Sequence, residues 1–521
     1  MLERESLPAM HRTCGTYLSI ALCLLVCLAS GIAEAQTLWF RNGTLSAQGR
    51  AVVEMLRAAE TYGLSSERYA LSMPESDSAD VLAGEPVSES ARIRFDAALT
   101  ESATTFLRDL HSGRVSAEAA GFHLPTVRGS FDVHVAIREL AVSRDISATI
   151  ASYEPRPIPY HRLKEALQRY GMLAARQDLV PPPPVPTSIK EGDRYEGLPQ
   201  LRRLLVAFGD LDVQSQADVA PESLFDATMA EAVRRFQRRH GLLVDGILGR
   251  RTFAALAVPL HRRVRQIELT LERWRWTTSL GRPDIVVNVP QFMLFALPRQ
   301  SAGETSLLEM PVIVGQSYPH TRTPVFVAAI EHVIFQPFWD VPASITRREL
   351  LPLIRRDPSY LARHHMEIVK GLGDDAKPLA PTPEVLAQLA AGHLRLRQRP
   401  GADNALGSIK FMMPNPYNVY LHATPNTELF EHAQRSFSHG CIRVSEPALL
   451  ASYVLENAAE AWTTESIQTA LCDPTTRRVT LDTPVLVLIF YGTAAVSESL
   501  GDMFFEDIYG HDARLEQLLA R

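Results

Sequence analysis

The sequence predicts an α+β multidomain protein: a helical N-terminal scaffold, a compact three-helix module, and a β-rich C-terminal domain with a helical capping insertion. Three observations predict it. Apolar residues recur at helical spacing from about Leu38 to Ala175. A polyproline run, "VPPPPVPTS" from Val180 to Ser188, then interrupts the chain. From about Asp284 onward the pattern changes to short β-branched and aromatic runs bounded by Pro, Gly and Asn. At 521 residues, 46% apolar and 21% charged, the chain has the composition of about three globular domains. Its net charge of −6 points to neither nucleic acid nor an anionic membrane as a main partner.

The first element reads as an export signal, residues 1–35. Thr13 to Ala33 contains no charged residue, and Ala33-Glu34-Ala35 supplies the small-x-small pattern of a signal-peptidase site. Arg4 and Arg12 are offset by Glu3 and Glu5, so a start at Met10 gives a more typical signal than Met1. The same stretch is long enough to span a bilayer if uncleaved, which leaves a retained inner-membrane anchor as the alternative. Of five cysteines, Cys14, Cys23 and Cys27 lie here, so only Cys441 and Cys472 remain beyond it. Two cysteines are not a disulfide framework.

Residues 36–180 read as a mostly helical scaffold without a chemical motif. After the Pro-rich linker, 181–190, residues 191–260 form the module: "LPQLRRLLVAFGDL" is one amphipathic helix. "DATMAEAVRRFQRRHGLLVDGILGRRTFAAL" gives a second helix, a turn at Asp245-Gly246 and a third helix opening near Arg250. The spacing of Ala232-Val233, Phe236-Gln237, Gly241-Leu242, Asp245-Gly246, Gly249, Thr252 and Leu256 resembles the peptidoglycan-binding module of bacterial wall enzymes. That resemblance implies the cell wall as substrate.

A linking helix, 261–283, leads to the β-rich domain, 284–500, with 501–521 as a C-terminal tail. Its strand candidates include "DIVVNVPQFMLFAL", "LEMPVIVG", "TPVFVAAIEHVIFQPFW", "SIKFMMPNPYNVYLHAT" and "PVLVLIFYGT". Between about residues 340 and 407 the pattern turns helical. An insertion placed there serves as a cover over one end of the sheet.

Within "NVYLHATP", strand alternation puts Asn418, Tyr420 and His422 on one face, with His422 at a strand end where it can face an open cleft. "SHGC" follows, Ser438 to Cys441. A cysteine nucleophile needs its thiolate, a histidine to accept its proton, and amide donors aimed at the oxyanion. Gly440 leaves room for substrate beside the backbone, and the Gly440 and Cys441 amides are the natural oxyanion donors. Cys472, in "TALCDP", reads as an ordinary thiol.

His422, then Ser438-His439-Gly440-Cys441-Ile442-Arg443, resembles the L,D-transpeptidase (YkuD-type) family. The similarity extends through "LERWRW", "VNVPQFMLF", "TPVF", "FQPFWDVPASI", "IKFMMPNPYNVYLHATPNTELF" and "DIYGHD" to the larger Gram-negative members, where scaffold, wall-binding module and capped catalytic domain occur in this order. "QPFWDVP" departs from the pattern by a glutamine in place of asparagine.

This resemblance implies Cys441 as nucleophile attacking the third-position diamino acid carbonyl of a tetrapeptide stem, release of the terminal D-alanine, and resolution of the thioester by a neighbouring stem's side-chain amine. The product is a 3→3 peptidoglycan cross-link. His422 is the implied general acid and base, while Ser438 and His439 orient the loop. Arg443 either pins that loop to backbone carbonyls or meets a substrate carboxylate. Tyr420 and Trp339 are either cleft walls or core. The implied partners are donor and acceptor stems, with other wall-synthesis enzymes as further candidates, no metal and no cofactor; the implied location is the periplasm, and carbapenems are implied acylating agents. Water, a D-amino acid or a lipoprotein lysine are alternative acceptors, and a non-catalytic wall-binding protein is the rival reading. A papain-like hydrolase places its cysteine before its histidine, the reverse of this order, and the remaining histidines, including His364-His365, lack zinc-ligand spacing.

Overall fold

The computed structural model describes residues 37–125, 131–212, 223–299, 307–318, 320–371 and 373–520. The expected export segment lies outside the described residues. Among them, no helix is long and apolar enough to cross a membrane.

The described residues form two compact units. The first comprises the chain through Ala58, Ser66–Leu107 and Val133–Ser152. It opens with a small hairpin, β1 (Phe40–Arg41) and β2 (Thr44–Leu45), that the helical periodicity did not indicate. Its turn is Asn42-Gly43, both with positive φ (51° and 80°), the pairing that suits a tight hairpin. Ser46 then caps helix Ala47–Arg57, its Oγ accepting from the Gly49 N–H at 3.0 Å. The Trp39 indole donates to Thr100 Oγ1 at 2.9 Å and fixes the hairpin to helix Glu89–Ser112.

The second unit comprises Ala59–Ser65, Arg108–Asp132 and everything from Tyr153 on. The scaffold stretch therefore contributes to both units. Helix Leu260–Arg275, expected as a link, is instead a structural centre of the second unit: Glu272, Arg273 and Arg275 on it are each no more than 2% exposed. Arg273 donates to Asp512 at 2.6 Å and Arg275 to Glu272 at 2.9 Å. The other Glu272 oxygen accepts from the backbone N–H groups of Arg114 and Val115. The expected tail is likewise structured, as a strand, Gly501–Phe504, and helix His511–Leu519, because Asp512 and Leu515 are needed inside.

The module's three helices, Leu198–Ala207, Ala227–Arg239 and Arg250–Leu256, share their own core around Leu201, Leu205, Phe225, Phe236 and Leu248. Gln237 explains the motif's spacing. Its side-chain amide donates to Asp245 Oδ1 at 2.8 Å and to the Ile247 carbonyl at 3.0 Å, while its oxygen accepts from the Gly246 N–H at 2.8 Å. Gly246 sits at φ 76°, which favours glycine. The proline run is tied down at one end, where the Tyr195 hydroxyl donates to the Pro183 carbonyl at 2.5 Å.

The C-terminal region holds a nine-stranded sheet ordered β13-β5-β14-β12-β11-β6-β15-β3-β4. Its strands are β3 (Ile285–Asn288), β4 (Met293–Ala296), β5 (Leu308–Gly315), β6 (Phe326–Phe335), β11 (Ile409–Met412), β12 (Leu421–His422), β13 (Ser436–Ser438), β14 (Ile442–Val444) and β15 (Arg477–Phe490). An added β4–β5 pairing brings the last strand back to the second in the order. A hairpin, β16 (Ala494–Ser497) with β17 (Gly501–Phe504), follows. Against it packs the module: Arg239 bonds both Asp210 and the Asp502 carbonyl, and His240 stacks on Phe504.

The insertion has its own core of Ile354, Leu361, Ile368, Leu386 and Leu396. It is not wholly helical. Alongside its helices stand β7 (Trp339–Asp340), β8 (Met366–Val369), β9 (Pro378–Leu379) and β10 (Arg395–Gln398), in the order β7-β10-β8-β9. These strands are two to four residues long, too short for alternation to stand out beside helices.

Candidate active site

Three short strands assemble the site. β12 pairs antiparallel with β11, setting Lys410 opposite His422 and Phe411 opposite Leu421. It pairs parallel with β14, setting Leu421 beside Ile442 and His422 beside Arg443. Alternation then separates two faces. Phe411, Leu421 and Ile442, all 0% exposed, point into the core. Lys410, Tyr420, His422, Cys441 and Arg443 share the opposite face.

His422 is buried rather than open to a cleft, being 4% exposed. Its Nδ1 lies 2.6 Å from the Ala423 carbonyl. With Nδ1–H assigned as that donor, Nε2 is left as the acceptor, the tautomer a base requires. Burial, then the charges of Arg443 and Lys410, push its pKa down to about 3, so the ring is neutral at working pH.

Cys441 is half-buried and unpaired, with Sγ 3.6 Å from the Asn418 carbonyl. Burial pushes the thiol up; hydrogen bonds from the backbone and side chain of Tyr420 and the charges of Lys410 and Arg443 pull the other way. Cys472 is exposed at the end of helix Thr464–Cys472.

The loop before Cys441 is held by groups on both sides. Ser438, 2% exposed, donates through Oγ to the Cys441 carbonyl at 2.5 Å and accepts from the Gly440 N–H at 3.1 Å. This corrects the expected role of Gly440, whose amide is already engaged. Among the described residues the Cys441 amide has no hydrogen-bond partner, and it is the donor left for an oxyanion. Gly440 is required by its backbone, at φ 113°. Thr323 Oγ1 donates to the Gly440 carbonyl at 2.9 Å, and the Tyr509 hydroxyl accepts from the Thr323 N–H and donates to the Gly315 carbonyl at 2.5 Å.

His439 turns its ring outward, with Nε2 3.1 Å from Glu349 Oε1 in the π-helical turn Thr346–Leu350 of the insertion. The Arg443 side chain forms no hydrogen bond or ion pair among the described residues, and its buried Nε lacks a partner. The loop is thus not pinned through Arg443. Tyr420, 9% exposed, packs edge-on to His422 at 5.6 Å, and its hydroxyl faces Trp339 and Cys441. Trp339 is half-buried at the start of the insertion. A cavity of about 540 Å³ lined by Phe338, His365, Arg399, Pro400 and residues 474–476 lies at the base of the insertion and includes none of the expected site residues.

Sequence reasoning missed Lys410, Thr323, Tyr509 and Asn415. Asn415 alone had a local signal, the "NPYN" turn, where its amide donates to the Met413 and Val419 carbonyls and its oxygen accepts from the Tyr417 and Val419 N–H groups.

Residues 282–485, which hold this site, match the L,D-transpeptidase catalytic domain family, YkuD. Residues 33–167 match a scaffold domain and 194–256 a family described as "Putative peptidoglycan binding domain". A Haemophilus influenzae protein named "Putative L,D-transpeptidase" is 33% identical over 231 residues, covering 44% of this chain and 45% of that protein. The Mycobacterium tuberculosis protein "N-acetylmuramoyl-L-alanine amidase CwlM" is 42% identical over 80 residues, 14% of this chain and 20% of its own length. The chain thus spans less than half the length of either relative.

Proposed function

We propose that the protein is a peptidoglycan L,D-transpeptidase that forms 3→3 cross-links at the wall, in the periplasm of a Gram-negative cell, by way of a thioester on Cys441. The supporting observation is the parallel β12–β14 pair, beside which a free cysteine and a buried, neutral histidine share one face of a region that matches this catalytic family. His422 Nε2 takes the thiol proton as Sγ attacks the third-residue carbonyl of a donor stem, and the Cys441 amide receives the oxyanion. Collapse breaks the C–N bond; the proton passes from His422 to the departing D-alanine amine. The acceptor amine then attacks the thioester, its proton goes to His422, and the C–S bond breaks to restore the thiol. In this reading Arg443, whose buried Nε lacks a partner, meets a stem carboxylate. The module's own core supports its role in holding the polymer near the cleft. In a strain relying on this enzyme, Cys441→Ala should remove 3→3 dimers from digested wall while purified sacculi still bind the protein. Persistence of those dimers would refute the proposal.

A further inference from the structure

Lys410 was not among the expected site residues, yet three features place it at the chemistry. Its position on β11 is directly opposite His422 on β12. The ammonium lies over the Tyr420 ring, 3.9 Å from the centroid, and Tyr420 is the residue whose carbonyl accepts the Ile442 N–H immediately after the cysteine. Among the described residues no carboxylate lies within salt-bridge distance of Lys410, so a half-buried cation stands on this face without a directly paired carboxylate.

A thiolate in this setting needs a counter-charge, and in cysteine–histidine pairs the imidazolium commonly supplies it. Here the imidazole is buried and neutral, beside two positive side chains. We propose that Lys410 is the counter-ion of the Cys441 thiolate: a positioning residue that keeps its own proton and raises the fraction of reactive sulfur. The inference rests on Cys441 being the nucleophile. When the free thiol ionises its proton goes to water and His422 stays neutral, and during attack on a donor the proton passes to His422 Nε2; in neither case does a proton leave Lys410.

The charged and titratable groups acting around Lys410 are consistent with this role. Burial lowers the Lys410 pKa and is the largest influence on it; Cys441, Asp340 on β7 and Asp374 in the insertion favour its charged form, and Arg478 on β15 opposes it. His422 feels the Lys410 charge, Arg443 acts on the sulfur in the same direction as Lys410, and Tyr420 lies between them as a neutral ring. Lys410 precedes Arg443 among the cations that lower the thiol.

The test is the pH dependence of Cys441 alkylation by iodoacetamide. It uses the full chain carrying Cys472→Ser and follows the peptide that holds Cys441 by mass spectrometry. Lys410→Met and Lys410→Gln should each move the midpoint up by about one pH unit, a roughly tenfold loss of rate below it, and Lys410→Arg should restore most of that loss. Removing a buried cation that has no bonded carboxylate leaves no orphaned anion, so at least one neutral variant should fold. An unchanged midpoint in a folded neutral variant would overturn the proposal, as would an arginine variant no better than methionine. The outcome is distinguishable from failure of the transpeptidase reading, because alkylation reports the sulfur whether or not wall cross-links are made.

Discussion

Two regions of the second unit bury charge, and they do so in opposite ways. Around helix Leu260–Arg275 and the module, buried cations meet carboxylates directly: Arg273 with Asp512, Arg275 with Glu272, Arg239 with Asp210. On the β11–β12–β14 face, Lys410 and Arg443 lie beside His422 and Cys441 with no carboxylate in salt-bridge range among the described residues. Breaking a matched buried pair strands a charge and costs folding free energy; an unmatched cation awaits an anion that arrives with the reaction. The first pattern stabilises the fold, and the second fits the proposed chemistry.

The comparison breaks most sharply at Arg273. Arg273→Met should cost about 3–5 kcal/mol of stability by leaving Asp512 buried without its partner, while the folded fraction keeps its rate of soluble-donor acylation. Arg443→Met should do the reverse, changing the urea midpoint little and lowering kcat/KM roughly tenfold or more for a carboxylate-bearing donor. Equal effects on stability and activity at both positions would dissolve the distinction.

Acid should sharpen it further. His422 is held near 3 in the folded chain against an ordinary value of 6.5. The unfolded chain therefore binds more protons between these values, and the stability contributed by neutral burial, present above about pH 6.5, is lost as pH falls toward 3. His511, pushed to about 4, and His240, also lowered, act with the same sign. Urea unfolding at pH 4 and pH 7 should differ less in His422→Gln than in the parent chain. A difference as large in the variant would remove His422 from this account. The smallest effect belongs to Glu349→Gln. Its contact with His439 is exposed, so the melting temperature should hold within about 1 kcal/mol equivalent.

How much of this was legible in the sequence follows from how local each signal is. Gln237, Gly246 and Gly249 fix one turn of the module within a dozen residues, and "SHGC" lies in one loop, so short-range spacing carried both. Lys410 and Thr323 come to the site only through strand register and tertiary contact, with Thr323 more than a hundred residues from Gly440. Both lie in stretches that resemble the family, "TPVF" and "IKFMM", but no local spacing marks either residue as part of the site. The buried role of helix Leu260–Arg275 was hidden for a related reason: arginine and glutamate read as a solvated face until Asp512, far along the chain, is seen to meet Arg273. The insertion's strands were missed because two to four residues leave too little periodicity to read.

The central claim is that a donor stem becomes covalently attached to Cys441. Intact-mass measurement of the full chain incubated with a soluble tetrapeptide fragment, with no acceptor, tests it most directly. The account predicts a single adduct equal to the donor mass less D-alanine, mapping to the peptide that holds Cys441 and absent in Cys441→Ala. An adduct on Cys472, or stem turnover that persists in Cys441→Ala, would contradict it.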